Sequence, residues 1–214
     1  MTFLTGATGY MGRRLAAELI RRGHSVTVLV RKGSKGKAPP GCAVVVGDAL
    51  DAATYREQVT RGCTFVHLVG VAHPSPTKGA QFRAIDLVSI QAAVAAAQFA
   101  GVRHFVYVSV AHPAPVMKDY IAVRSEGEAL IRAAGLSATI LRPWYVLGPG
   151  HWWPVALKPL YWLMELIPGT QESARRLGLV TLAQMVTALA NAVDRPNDGV
   201  RVIEAPEIKA VART

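Results

Sequence analysis

The sequence has few cysteines and no long uninterrupted hydrophobic run. Its 214 residues include only Cys42 and Cys63, which are too few for a disulfide framework and lack zinc-ligand spacing. We therefore expect a reducing, cytoplasmic location. The most apolar stretch, residues 152–167, is interrupted by prolines and charged side chains and does not predict a transmembrane helix. The first residues do not resemble a signal peptide.

Charge is also scarce, and it is unevenly distributed. Only 18% of the residues are charged and 51% are hydrophobic, which excludes a disordered chain. Of the formal net charge of +10, residues 1–40 carry +7, from eight Lys and Arg against one Glu. Such a segment suits nucleic acid, a phosphate-rich small ligand or a solvated surface. Because no nucleic-acid motif accompanies it, we do not expect a nucleic-acid partner.

Apolar runs typical of buried strands alternate with segments typical of helices. The expected strands are residues 3–4, 25–30, 43–46, 65–71, 105–110, 138–141 and 200–203. Helices are expected after the first strand and at residues 54–61, 81–100, 118–134 and 180–193. This alternation predicts an α/β fold: a single doubly wound parallel-sheet, Rossmann-type domain over residues 1–214. Residues 144–178 hold all four tryptophans and predict a small irregular cap rich in Trp and Pro.

Three evenly spaced glycines lie between the first expected strand and the first expected helix. They are Gly6, Gly9 and Gly12. Glycine permits a sharp turn and lets a pyrophosphate approach the backbone, and a helix N-terminus offers unpaired N–H groups. This position in the chain predicts a dinucleotide-binding loop rather than an ordinary strand-to-helix turn.

The end of the second expected strand indicates which dinucleotide binds. An acidic residue there suits the ribose 2′-hydroxyl of NAD, whereas an arginine accommodates the 2′-phosphate of NADP. The sequence has Arg31 and Lys32 at this point, and Arg13 follows the third glycine. NADP(H) is therefore the expected cofactor, with NAD(H) as the less favoured alternative. The other interpretation of Arg31 is a solvated strand end.

Several segments resemble the short-chain dehydrogenase/reductase superfamily. The sequence is most similar to the atypical group that includes NmrA-like proteins and the nucleotide-binding subunit of respiratory complex I. The matching segments are residues 5–12, 47–48, 105–109, 120–124 with Glu128, 139–143, 148–150, and 200–203 with Pro206. The glycine loop, the basic residues already named and the resemblance together predict the coenzyme contacts, which are Gly6, Thr8, Gly9, Tyr10, Met11, Gly12, Arg13, Arg31, Lys32, Asp48, Ala49, Leu68, Val69, Gly70, Tyr120, Arg124, Pro143 and Val146.

The same resemblance implies catalytic roles for Ser109, Tyr120 and Arg124. Family members combine a serine with Tyr-x-x-x-Lys, and here arginine occupies the lysine position. Tyr120 would exchange a proton with the substrate, and Ser109 would hydrogen-bond its oxyanion. Arg124, on the same helix face as Tyr120, would supply a positive charge without the shape of an ammonium group. Glu128, one turn further on, is expected to form an ion pair in the region of that helix.

These observations favour an NADP(H)-dependent oxidoreductase or epimerase/dehydratase-like enzyme acting on an apolar or carbonyl-bearing small molecule. The alternative is a non-catalytic NADP(H)-binding sensor or assembly factor that docks on a partner. The cap is open to three interpretations: a lid over an apolar pocket, a peripheral membrane contact, or simple packing. Helices 81–100 and 118–134 suggest a homodimer by family analogy. The six histidines have no metal-ligand spacing, so no metal site is predicted.

Overall fold

The structure is a computed structural model that describes residues 1–114, 116–149 and 177–211. Its main strands are β1 (Thr2–Thr5), β2 (Val26–Val30), β3 (Ala43–Val46), β4 (Thr64–His67), β5 (His104–Val108), β6 (Ala138–Arg142) and, after two short strands, β9 (Val200–Glu204). These seven strands form one parallel sheet in the spatial order β3-β2-β1-β4-β5-β6-β9. The short strands β7 (Val146–Leu147) and β8 (Val180–Thr181) pair in a second parallel sheet.

Helices cover both faces of the main sheet. One face packs against α1 (Gly12–Arg21), α4 (Leu182–Asp194) and α5 (Ala205–Ala210). The other face packs against α2 and α3 (Lys118–Ala133). Helix α2 begins as Gly79–Gln81, passes through a π-helical segment, Phe82–Leu87, and continues as Val88–Ala100. The strands are therefore buried from both sides, which explains why β1, β2, β4 and β5 read as continuous apolar or β-branched runs.

The doubly wound parallel sheet expected from the sequence is confirmed. Its strand order is that of the Rossmann fold, with β9 added beyond β6. The winding reverses between β1 and β4, and ligands of such sheets bind beyond the carboxyl ends of the strands at this switch point. The turns that follow β1, β4, β5 and β6 meet there. These turns carry most of the predicted site residues.

Four predicted elements differ from the structure, and one of them is the expected strand 105–110, which ends at Val108. The helix expected at residues 54–61 is wrong: two 3₁₀ turns stand there, Ala52–Thr54 and Arg56–Gln58. Between them Tyr55 has a φ of −147°, which leaves the helical region and lets its ring pack fully buried near Phe3. The expected fourth strand ends early, at His67. The last predicted helix begins at Leu182, because the two residues before it form β8.

Helix α2 has an apolar composition that requires a structural explanation. With the preceding turn it forms Pro76–Ala100, the one helix in the described ranges that is long and apolar enough to cross a membrane. Half of the tested window is buried inside the protein, and Ile90 and Ala93 belong to the core on the α2 face of the sheet. A helix packed along a Rossmann sheet has this composition because one side contacts the strands.

The C-terminal cap expected at residues 144–178 falls mainly on positions outside the described residues. Of its four tryptophans, only Trp144 belongs to the part of the chain that the structure describes. The cap and its three interpretations therefore stay predictions. The same holds for the homodimer.

Candidate functional site

The turn between β1 and α1 is closely packed around its glycines. Gly6 has a φ of +76°, and a Cβ there would lie 2.7 Å from the carbonyl carbon of Leu68. A Cβ on Gly12 would collide with the carbonyl oxygen of Gly6. Among the described residues no side chain caps the start of α1, and the Arg13 N–H donates to the Gly9 carbonyl at 3.3 Å, so an anion would bind to the other N–H groups of the first turn. The turn therefore has the construction that a phosphate-binding loop needs.

A cavity of about 420 Å³ opens beside this loop, at the carboxyl ends of the central strands. The predicted residues that line it are Gly6, Gly9, Tyr10, Met11, Gly12, Leu68, Gly70, Ser109, Tyr120, Arg124, Pro143 and Val146. The lining residues that the sequence analysis did not predict are Val71, Ala72, His73, Pro74, Val108, Val110, Met117, Trp144 and Tyr145. These additional residues are mostly apolar and come from the end of β5 and from the three loops that follow β4, β5 and β6.

The remaining predicted contacts lie outside the cavity wall that the described residues form. They are Thr8, Arg13, Arg31, Lys32, Asp48, Ala49 and Val69. Most of them follow β2 or β3 or flank the glycine loop, and Arg13, Arg31 and Lys32 are exposed. The Nε of Arg13 donates to the Thr8 carbonyl at 3.0 Å. The structure thus gathers one group of predicted residues in a cavity and leaves the other group along an open edge.

Arg124 lies inside the protein between two tyrosine rings. Its guanidinium carbon is 5.1 Å from the ring centroid of Tyr120 and 5.7 Å from that of Tyr107. Its Nη2 pairs with Oδ1 of Asp86 at 2.6 Å, and its Nη1 donates to the Val108 carbonyl at 2.9 Å. Burial lowers the pKa of Arg124, but attraction to Tyr120, Tyr107 and Asp86 outweighs burial, so the pKa is raised. The cation is therefore permanent, and Asp86 balances it.

Asp86 was not predicted from the sequence as part of the site. It lies in the π-helical segment of α2 with its side chain fully buried, and its Oδ2 accepts the Val71 N–H at 2.9 Å. Burial raises the pKa of Asp86, and Arg124 and the Val71 amide oppose this rise. Gly70 makes room for the pair, because a Cβ there would collide with Nη2 of Arg124. One signal was visible: Asp86 is the single acidic residue of segment 81–100.

Ser109 belongs to a second buried network. Its hydroxyl donates to Oε1 of Glu128 at 2.6 Å, and the Nε of Arg142 donates to the same oxygen at 2.9 Å. Burial raises the pKa of Glu128, but these hydrogen bonds outweigh it and the pKa is lowered. The ion pair expected for Glu128 is present, with its partner on β6 rather than on its own helix. The oxyanion role of Ser109 stays a prediction, because its hydroxyl proton is already engaged.

His67 joins the strands beneath the cavity. Its Nδ1 is 2.9 Å from the Thr5 hydroxyl, and its Nε2 is 3.2 Å from the Ser89 hydroxyl. Burial and, less strongly, Arg124 lower the pKa of His67 to about 3. The imidazole is therefore neutral at physiological pH and has a structural role. Within the described ranges, no three His, Cys, Asp or Glu side chains come together as a metal site.

Comparison with known proteins identifies the family. The family model described as NAD(P)H-binding matches residues 6–149, well over half of the sequence. The chain belongs to the NAD(P)H-binding family. The match runs from the glycine loop through β7, so it includes every segment that lines the cavity in the described residues. A nicotinamide dinucleotide, the coenzyme class expected from the sequence, is thereby confirmed.

Individual relatives agree with this assignment. The chain is 31% identical to a ceramide reductase of Caulobacter vibrioides over 175 residues, which are 80% of this chain and 54% of that protein. It is 26% identical to a 4-hydroxy-2-methyl-3-oxo-4-farnesyl-3,4-dihydroquinoline-1-oxide ketoreductase of Stigmatella aurantiaca over 169 residues, 69% of this chain and 50% of that protein. The chain thus spans about half the length of these relatives.

Solved structures confirm the fold. A short-chain dehydrogenase/reductase superfamily protein of Agrobacterium tumefaciens with bound NAD superposes with a TM-score of 0.68. The superposition covers 95% of this chain and 77% of the Agrobacterium chain, and the two sequences are 19% identical. At this identity the likeness establishes the fold. Together with the family match, it confirms the resemblance stated from the sequence.

Proposed function

We propose that this protein is an NADP(H)-dependent oxidoreductase that acts on the carbonyl group of an apolar small molecule. The observation that carries this proposal is a single cavity in which a phosphate-type glycine loop, a tyrosine hydroxyl and an apolar wall meet. The relatives agree with it, because one is named as a reductase of ceramide and another as a ketoreductase of a farnesyl-bearing compound.

The chain's own residues fit a dinucleotide. Gly6 and Gly12 leave no room for side chains and bring the backbone to the start of α1, where the pyrophosphate would bind. The exposed Arg31, Lys32 and Arg13 would hold the 2′-phosphate near β2. The nicotinamide end would then lie on the β4 to β6 side, near Pro143 and Val146. When bound, the coenzyme supplies or accepts a hydride.

Tyr120 is the group that we assign to proton exchange with the substrate oxygen. It lines the cavity, and its ring contacts Phe82, at 4.9 Å between centroids, and the guanidinium of Arg124. These two contacts restrict the ring, and general acid catalysis requires a hydroxyl held in position. Arg124 touches the ring rather than acting as an unpaired cation, because Asp86 balances its charge. It is therefore a positioning residue in this proposal.

The substrate class follows from the wall beyond Tyr120. Val71, Ala72, Val110, Met117 and Trp144 supply apolar surface to the cavity. Such a wall favours an apolar substrate and excludes water from the reacting carbonyl. It offers no cluster of cations that would hold a sugar phosphate there among the described residues.

Coenzyme binding and turnover test the proposal separately. Calorimetry with NADPH and NADH is expected to show tighter binding of NADPH. The substitution Arg31→Ala should weaken the binding of NADPH and leave the binding of NADH unchanged. Lys35→Ala, in the same exposed loop, is the matched control. Oxidation of NADPH with a panel of long-chain ketones is expected to be lost in Tyr120→Phe. Equal binding of the two coenzymes would contradict the assignment of Arg31, and no heat with either would contradict the whole proposal.

One observation favours a second function, a non-catalytic NADP(H)-binding sensor. The hydroxyl proton of Ser109 is engaged by Glu128, and the charge of Arg124 is balanced by Asp86, so two of the three predicted catalytic groups have structural partners. The sensor predicts tight NADPH binding, no turnover with any carbonyl compound, and partner affinity that changes with coenzyme. The ketone panel therefore separates the two functions.

A further inference from the structure

The ion pair of Asp86 and Arg124 forms part of the coenzyme cavity without being open to solvent. Arg124 lines the cavity, yet its side chain is only 7% exposed, and that of Asp86 is 0% exposed. Around the pair stand the rings of Tyr107 and Tyr120, the Val108 carbonyl and the Val71 amide. With both groups ionised, the pair has zero net charge. Its charges are balanced only as long as both residues are present.

Several separate elements cooperate to build this pair. Arg124 comes from α3, Asp86 from α2, and the hydrogen-bonded backbone groups come from β5 and the loop after β4. Gly70 also contributes, since a Cβ there would collide with Nη2 of Arg124 in its paired position. A buried ion pair is a costly way to stabilise a fold, because desolvation of both charges opposes their attraction. The position of this pair in the cavity wall points to a role in the neighbouring site.

We propose that Asp86 sets the redox-state preference of the bound nicotinamide coenzyme by cancelling the charge of Arg124. This inference rests on the proposed function, which puts the nicotinamide end on the Tyr120 and Arg124 side of the cavity. The oxidised nicotinamide ring carries a positive charge and the reduced ring is neutral. An unbalanced Arg124 would therefore repel only the oxidised form, whereas the balanced pair leaves both forms free to bind.

The size of the effect follows from Coulomb's law. Two like charges within about 10 Å of each other, at an effective dielectric constant of about 20, change a binding constant by roughly tenfold or more. Arginine cannot escape the repulsion by losing its proton. We therefore expect Asp86→Asn to raise the ratio of the dissociation constants, NADP⁺ over NADPH, by roughly tenfold. A purely structural defect would weaken both forms by the same factor.

The experiment measures both dissociation constants by calorimetry for the wild type, Asp86→Asn and the double variant Asp86→Asn/Arg124→Gln. The double variant removes both charges, with Asn isosteric to Asp and Gln a shorter neutral replacement for Arg, so its ratio is expected to return to within about threefold of the wild type. Glu126→Gln, an exposed charge on the same helix as Arg124, is the control and should leave the ratio unchanged. If NAD binds better than NADP, the same ratio is measured with NAD⁺ and NADH.

A second single variant keeps the test decisive if Asp86→Asn does not fold. Arg124→Gln leaves an unbalanced aspartate, which attracts the oxidised coenzyme, so the ratio of the NADP⁺ and NADPH dissociation constants should fall below that of the wild type. The fall should be stronger at pH 9 than at pH 6, because, without Arg124, burial favours the protonated form of Asp86 at the lower pH. An unchanged ratio in either folded single variant overturns the inference, as does a double variant whose ratio departs tenfold from the wild type. Failure of the wild type to bind any coenzyme would instead overturn the proposed function.

Discussion

Ser109 and Glu128 share a 2.6 Å hydrogen bond that joins the end of β5 to the middle of α3. The same carboxylate is ion-paired with Arg142 at the end of β6. Glu128 is only 4% exposed, so it depends on these partners to remain ionised. One buried carboxylate thus connects three of the elements whose ends surround the cavity, which gives the cavity a rigid base.

Glu128→Gln is expected to lower the free energy of unfolding by about 3 kcal/mol. The change leaves the partly buried Arg142 without its main counter-ion, and removing one partner of a buried pair is strongly destabilising. Urea denaturation at pH 7 measures the effect. Glu126→Gln removes an exposed carboxylate two residues away and should stay within about 0.5 kcal/mol of the wild type. Equal stabilities of the two variants would contradict this role for Glu128.

Ser109→Ala tests whether the serine is structural or catalytic. Because its proton is engaged by Glu128, we expect a loss of about 1–2 kcal/mol in unfolding free energy and a fall in kcat of less than about tenfold. Removal of a true oxyanion donor would lower kcat by about 10²–10³. Steady-state kinetics with the best ketone of the panel, together with urea denaturation, separates the two outcomes.

Gly12→Ala is expected to abolish measurable coenzyme binding. The added Cβ would collide with the Gly6 carbonyl oxygen, so the loop would have to move away from the position that receives the pyrophosphate. Gly36→Ala is the control, because a Cβ there meets nothing within 4 Å and the residue lies in an exposed turn. Calorimetry with NADPH measures both variants. Wild-type affinity in Gly12→Ala would show that the loop does not carry the phosphate.

Sequence patterns were sufficient for the parts of the fold that local physics determines. The buried strands, the glycine loop and the long helices follow from apolar periodicity and from the position of glycines, and the structure reproduces them. Tyr55 shows where this fails. The segment around Tyr55 has a helical pattern in the sequence, but the ring reaches the core only if the backbone leaves the helical conformation. The core residues that the ring contacts are distant in the sequence, so the local pattern does not reveal this requirement.

The candidate site shows the same division. The glycine loop was identifiable from its spacing and its place between a strand and a helix, whereas Tyr120 was predicted from the resemblance to the family. The partner of Arg124 was not, because Asp86 is 38 residues away and lies in a π-helical segment. Periodicity in the sequence does not distinguish such a segment from a regular helix. The hydrogen bond between Ser109 and Glu128 was likewise invisible, because it depends on how α3 packs against β5.

Because His67 is buried in its neutral form, we expect the free energy of unfolding to fall in mildly acidic solution. Its pKa is about 3 in the folded protein, against about 6.5 in an unfolded chain. As the pH falls below about 6.5, the unfolded state therefore binds a proton that the folded state does not, so the free energy of unfolding falls by up to about 1.4 kcal/mol per pH unit. At pH 5 the loss from this group is about 2 kcal/mol, before most carboxylates begin to titrate. Urea denaturation at pH 7.5, 6 and 5 measures it.

His67→Gln is the variant that isolates this contribution. Glutamine retains hydrogen-bonding groups for Thr5 and Ser89 but does not titrate. Between pH 6 and pH 5 the unfolding free energy of the variant should therefore fall by roughly 1 kcal/mol less than that of the wild type. His104, whose pKa is also lowered by burial, remains in both proteins and contributes equally to each. The same pH dependence in the two proteins would mean that His67 is protonated in the folded state. The assignment of His67 as a neutral hydrogen-bonded link between β1, β4 and α2 would then be wrong.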